Sequence, residues 1–204
     1  MTAMIEVAES GKLERRSVVR ALLEDRGEML AIGGLGAPAW DITAAGDGPQ
    51  NLPLWGGMGG AASMGLGLAL AQPTKPVLVI TGDGEMLMGV GSLATIATKQ
   101  PRNLSVVVLD NEHYGETGMQ ETATRHGVDL AGMAKAAGIA DSRKVNTPEE
   151  LLALRAAIRA GNGPIFAQVK IDAASLPLVL PPREASILQA RMREAILGPK
   201  AHLQ

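Results

Sequence analysis

Cysteine is absent from the 204 residues, so the chain forms no disulfide framework and offers no thiolate zinc site, thiol nucleophile or cysteine-held iron–sulfur cluster. Aromatic residues are scarce: two Trp, one Tyr and one Phe leave no platform for stacking bases, and a formal net charge of -2 leaves no basic footprint. Together these exclude a nucleic-acid partner. No stretch reaches the roughly 18 uninterrupted apolar residues of a membrane span. The opening MTAMIEVAESGKLERR is acidic before it is basic and lacks the apolar run of a leader. The expectation is a cytoplasmic protein without a membrane partner. What remains is ample, because 46% hydrophobic and 20% charged residues supply a sizeable core and rule out disorder as the main state.

The 25 glycines concentrate between Gly27 and Gly91, where they act locally and form neither linker nor repeat. Apolar runs at 29–32, 77–81, 104–109 and 165–171 predict buried strands. Segments of helical period predict helices at 13–25, 59–71, 85–99, 130–137 and 148–160, the last opened by Thr147 as N-cap, Pro148 at N1 and Glu150 of a capping box. Strands apolar on both faces and separated by helices imply an α/β three-layer sandwich with a mainly parallel sheet. The pattern changes near Pro177, which divides the chain into a main domain over 1–175 and a C-terminal arm over 176–204 with a helix at 183–197. Amphipathicity allows that helix to pack on its own domain or across a partner.

Gly82-Asp83-Gly84-Glu85 follows the strand at 77–81, at the carboxyl end where ligands sit in open α/β sheets. Two glycines admit a close ligand, a helix N-terminus attracts an anion, and Asp83 offers a hard oxygen to a cation riding on that anion. A plain strand-to-helix turn with Asp83 as N-cap fits the same tetrapeptide. A second set, Asp110-Asn111-Glu112-His113-Tyr114-Gly115, ends the next strand, 28 positions from Asp83 to Asn111, which suits one helix and one strand between neighbouring strand ends. Asp83, Asn111 and a backbone carbonyl would leave a magnesium ion room for two phosphate oxygens.

GDGE at 82–85 followed by DNEHYGETG at 110–118 resembles the diphosphate-binding motif of thiamine diphosphate enzymes, with Asp110 where the first Asn of the usual pair stands. The resemblance implies Asp83, Asn111 and the backbone carbonyl of His113 as Mg2+ ligands, and a cofactor cradle that includes Gly34, Gly82, Gly84, Glu85, Tyr114 and Gly115. Trp55-Gly56-Gly57-Met58-Gly59 resembles the family segment that bends the cofactor, implying Met58 as the apolar wedge and the Gly56 carbonyl as acceptor for the aminopyrimidine. A buried Met suits a concave space beneath a strained cofactor, although a methionine in such sequence also simply fills a core. Glu85 places a carboxylate near the diphosphate, which is unfavourable unless it points away or is hydrogen bonded.

The resemblance runs from about Gly33 to Ile171 and covers one module only, so the glutamate that activates the cofactor must come from a pyrimidine-domain (α) subunit, in an assembly of α2β2 type. Its closest type is the β subunit of heteromeric 2-oxo acid decarboxylases of the sulfopyruvate and phosphonopyruvate class, since ferredoxin-linked relatives carry cluster cysteines. The implied activity is decarboxylation of a small 2-oxo acid with the thiazolium as electron sink, with Met58, Glu116 and Thr117 at the reacting centre. Carboligation or transketolase-like aldehyde transfer uses the same fold, as does a non-catalytic binding subunit. Gly34 to Ala39 fits GxGxxA, but Pro38 interrupts the turn and no acid follows at a strand end, so a dinucleotide reading is set aside. His126, in a glycine-flanked loop, is a substrate-binding candidate; His202 has no second ligand at metal spacing.

Overall fold

The computed structural model describes residues 4–202. In chain order its elements are α1 (Arg15–Leu23), β1 (Leu30–Gly33), α2 (Ala37–Ala44), β2 (Asn51–Pro53), α3 (Ala61–Ala71), β3 (Val77–Gly82), α4 (Asp83–Met88), α5 (Ser92–Lys99), β4 (Leu104–Asp110), an antiparallel hairpin of β5 (His113–Tyr114) and β6 (Gln120–Glu121), α6 (Leu130–Ala137), β7 (Asp141–Val145), α7 (Pro148–Ala160), β8 (Ile165–Lys170) and α8 (Ala185–Leu197). Six strands form one sheet in the order β2-β1-β3-β4-β8-β7, every neighbouring pair parallel.

Alternating strand residues feed two cores, as a sheet covered on both faces requires. Leu78, Ile80, Val107, Leu109 and Val169 pack with Val18 and Leu22 of α1 and Leu151 and Leu154 of α7. Val77, Val79, Val106, Val108 and Phe166 pack with Leu66 of α3, Ile96 of α5 and Leu130 of α6. Gly65 lets α3 lie close to the sheet, since a Cβ there would stand 2.2 Å from Val79 Cγ2. Local signals set the helices whose ends match expectation. Asp129 caps α6 and Gly138 ends it at φ 110°, while the Thr147–Glu150 capping box opens α7 and Gly161 ends it at φ 66°.

Other elements depart from the sequence pattern. The helix expected over 85–99 is two helices, because the backbone at Gly89 packs directly on the loop before α3; a Cβ at Gly89 would meet Gly59 O at 2.1 Å. The helix expected over 13–25 is shorter, since Leu13 bridges Val7 and Ile171 and the Glu14 side chain caps α1. β7 reads DSRKV and buries only Val145, as an edge strand with one neighbour allows, so no apolar run announces it. Pro38 does not block a helix after β1: it sits in the first turn of α2, where a missing N–H costs nothing.

After β8 the chain runs without regular structure over 172–184 and then forms α8. Leu188 and Met192 are buried against the same domain, and Arg191 reaches Asp47 through two 2.7 Å bonds. Among the described residues no helix is long and apolar enough to cross a membrane.

Candidate functional site

The segments that follow β1, β2, β3 and β4 meet at the carboxyl end of the sheet around a cavity of about 380 Å³. Asp83 and Asn111 both line it, because β3 and β4 are paired neighbours. Gly82, Gly84, His113, Tyr114 and Gly115 line it beside them, with Met58, Glu85, Glu116 and Thr117 on the remaining wall. Gly34 and Gly56 do not: Gly34 is buried beneath Glu85, and Gly56 is exposed on its loop.

Asp83 is 1% exposed. Its Oδ2 accepts a short bond from the Thr122 hydroxyl and a 2.9 Å bond from Thr124 Oγ1. The Thr124 hydroxyl also stands 2.8 Å from Asp110 Oδ1, and its single proton serves one carboxylate at a time. Burial, reinforced by the nearby Asp110 charge and opposed by the threonine bonds, pushes Asp83 up to about 6. Asp110 is compensated elsewhere, by Lys170 Nζ at 2.8 Å and Gln168 Nε2 at 2.6 Å. Among the described residues no basic side chain pairs with Asp83.

The turn after β4 is self-braced. His113 N donates to Asn111 Oδ1 at 3.0 Å, and the ring Nδ1 of His113 lies 2.8 Å from the Asn111 carbonyl. Glu112 adopts φ 68° and turns its carboxylate out to Lys12 and Lys170, whose bonds hold it down to about 2. The Tyr114 ring covers Gly84, where a Cβ would come within 2.3 Å of Cε1.

Glu85 is buried and hydrogen bonded at the cavity wall. Its Oε2 accepts from Thr81 Oγ1 at 2.8 Å and from Leu35 N at 3.0 Å, and the amides of Gly59 and Ala61 further favour its charge against a burial that pushes it upward. It thereby ties the loop after β1 to the end of β3. A side chain at Gly34 has no room, since a Cβ would stand 1.9 Å from Glu85 Oε2.

Met58 is 40% exposed, against the expectation of a buried side chain, and it stands in a run of exposed residues over 55–58 at the cavity rim. His126 is not brought to the cavity; it lies in a 3-10 turn, exposed, 3.1 Å from Glu121. The sequence reading missed Thr122, Thr124, Arg15 and the segment 173–178. The threonines are 39 and 41 positions from Asp83 and nothing local marks them, whereas α1 and the arm reach the cavity only through the fold.

Residues 36–169 match the family described as thiamine pyrophosphate enzyme, C-terminal TPP binding domain. The chain is 37% identical over 138 residues to sulfopyruvate decarboxylase of Methanosarcina acetivorans, covering 68% of this chain and 35% of that protein. It is 39% identical over 127 residues to sulfopyruvate decarboxylase subunit beta of Methanocaldococcus jannaschii, covering 62% of this chain and 67% of that subunit. The fold is similar to the crystal structure of benzoylformate decarboxylase from Polynucleobacter necessarius, with a TM-score of 0.68 and 22% identity over 87% of this chain and 36% of that one. The chain thus spans about a third of the longer relatives and two thirds of the separate subunit.

Proposed function

We propose, for a chain that belongs to the thiamine pyrophosphate enzymes through their C-terminal TPP binding domain, that it is the diphosphate-binding subunit of a split, magnesium-dependent 2-oxo acid decarboxylase. Asp83 carries the reading: a buried carboxylate at the end of β3, served by two hydroxyls, unpaired with any base among the described residues, and adjoining Asn111 on the neighbouring strand end. These residues fit the cation and the anion together. A magnesium ion held here would offset a buried charge that is otherwise costly. Asp83, the Asn111 carboxamide oxygen and the His113 carbonyl would hold the ion, all of them hard oxygen donors.

Gly82, Gly84, Tyr114 and Gly115 line the diphosphate portion of the cavity, where Gly84 keeps the backbone bare beneath the Tyr114 ring. Met58 would prop the cofactor from the β2 side, and the Gly56 carbonyl, which does not line the cavity in this chain, would accept from the aminopyrimidine. Glu85 holds the loop after β1 through the Leu35 amide. Glu116 and Thr117 border the space left for substrate. When bound, thiamine diphosphate supplies the electron sink for decarboxylation. The net change takes a 2-oxo acid and a proton to an aldehyde and carbon dioxide: the C1–C2 bond breaks, its electron pair stays with C2, and the proton takes the place of the lost carbon.

The second half of the enzyme is a pyrimidine-domain subunit that supplies the activating glutamate, in an α2β2 assembly in the cytoplasm. The exposed Met58 and the relative named as a beta subunit support this division. Co-purification with such a partner, followed by calorimetric titration of thiamine diphosphate with and without Mg2+, tests it. Magnesium-dependent binding that Asp83→Ala abolishes is the expected result; binding without Mg2+, or unchanged in the variant, overturns the assignment.

A further inference from the structure

Once the groups assigned to diphosphate and metal are set aside, the cavity wall is apolar apart from Arg15, Glu116, Thr117 and Ser175. Leu35 follows β1, Pro38 and Trp40 belong to α2, Met119 comes from the hairpin, and Leu176 and Leu178 come from the segment that precedes α8. Four separate parts of the chain therefore contribute hydrocarbon to one space. Among the described residues that line it, Arg15 is the one guanidinium, and no lysine joins it.

That guanidinium is already engaged. Arg15 Nε lies 2.5 Å from Asp41 Oδ2, and Arg16 Nε lies 3.2 Å from Asp41 Oδ1, while another Arg16 nitrogen donates to the Pro177 carbonyl at 2.8 Å. Asp41 is wholly buried. On the cavity side, Glu116 packs against Gly36 and interacts with Arg15, and its partial desolvation raises its carboxyl above the usual range. Two guanidinium charges thus stand against two carboxylates, and this corner offers no surplus positive charge to an incoming anion.

Sulfopyruvate, named for the relatives, carries a sulfonate besides its carboxylate. A second anion placed here would lie against leucine, methionine and tryptophan without gaining a free cation from this chain, with Glu116 repelling it. An alkyl or aryl group in the same place gains by burial. We infer that the substrate is a 2-oxo acid with an apolar side chain, decarboxylated to the corresponding aldehyde. The inference rests on the decarboxylase reading above and names the substrate class for that site.

The test uses the chain co-purified with its pyrimidine-domain partner and loaded with thiamine diphosphate and Mg2+. Carbon dioxide release is followed with 4-methyl-2-oxopentanoate, 3-methyl-2-oxobutanoate and sulfopyruvate. The expected kcat/KM is at least about 100-fold higher for the branched-chain acids than for sulfopyruvate, the scale on which a pocket separates mismatched groups. Leu176→Lys, which adds a cation to the apolar wall, is expected to shrink that ratio by about tenfold or more when measured at saturating cofactor. Equal or faster turnover of sulfopyruvate by the unmodified complex overturns the substrate class and leaves the decarboxylase reading standing. A complex that binds the cofactor in calorimetry yet releases carbon dioxide from none of the three acids overturns both.

Discussion

The carbonyl oxygen of Gly59 occupies the place a side chain on Gly89 would need, 2.1 Å from the Cβ position, so the break between α4 and α5 rests on the loop that carries Met58. Gly59 itself sits at φ 89°, a conformation that glycine adopts without strain. The contact is backbone against backbone and has no flexible atom to yield.

Gly89→Ala is therefore expected to cost about 1–3 kcal/mol, as overpacking does, and to displace the Met58 loop. At roughly 2–4 °C of Tm per kcal/mol for a chain of this size, the loss is measurable by thermal unfolding. Gly91→Ala is the control, since a Cβ there meets nothing within 4 Å and the backbone already has ordinary φ. It should leave Tm unchanged or raise it. Equal losses in the two variants would remove the role assigned to the Gly59 contact.

Asp83→Asn separates binding from stability. The carboxamide keeps an oxygen for Thr122 and Thr124 while removing a charge that burial disfavours. The unliganded chain is expected to be as stable as the original or more so, while Mg2+-dependent cofactor affinity falls by more than about 100-fold, beyond the 10–100-fold that partners one shell further out contribute. Urea unfolding of the free chain and calorimetry of the complex read the two effects. A destabilised free chain with retained affinity would show that Asp83 serves the fold alone.

The parts of this architecture written in adjacent residues were legible in sequence. Caps at Asp129 and Thr147 and the glycines Gly138 and Gly161 fix α6 and α7 within their own segments, and the apolar run 104–109 can only be a buried strand. β7 escaped because an edge strand tolerates Asp141, Arg143 and Lys144, and the split of the 85–99 helix escaped because its cause, Gly59, lies 30 positions away. The same division holds at the site. Asp83 and Asn111 stand in local motifs at strand ends, whereas Thr122, Thr124 and the balance of Arg15, Arg16, Asp41 and Glu116 exist only after distant segments meet.

The Arg191–Asp47 pair gives a pH dependence with a definite sign. The Arg191 guanidinium holds the Asp47 carboxyl below its ordinary value, so the pair's contribution is fully present above the unfolded carboxyl's pKa and is lost as pH falls through the lower folded value. Asp47 is about one third exposed, so solvent screening limits the pair to about 0.5–1 kcal/mol. Arg191→Gln should lower urea stability by that amount at pH 7 and at pH 5 alike, with the difference shrinking only below about pH 4. A difference that instead grew on acidification would contradict the ion-pair origin and point to packing of α8 through Leu188 and Met192.

The segment between β8 and α8 is held at two carbonyls: Trp55 Nε1 donates to Pro182 O at 2.8 Å, and Arg16 donates to Pro177 O at 2.8 Å. Between those anchors the chain presents Leu178 to the cavity, with Leu176 just before the first anchor. Trp55→Phe keeps an aromatic ring and removes the N–H. Because Trp55 is 40% exposed, water replaces the lost donor and the net cost is at most about 1 kcal/mol. That cost falls on local opening, so limited proteolysis within 173–184 should quicken by about two- to fivefold while amide exchange in β3 and β4 stays as before. Cofactor affinity should hold, since the Mg2+ ligands lie elsewhere, and the KM for substrate should rise as the Leu176 and Leu178 wall loosens. Unchanged proteolysis within 173–184 alongside a raised KM would place Trp55 in the substrate space itself and remove its role as an anchor of the segment.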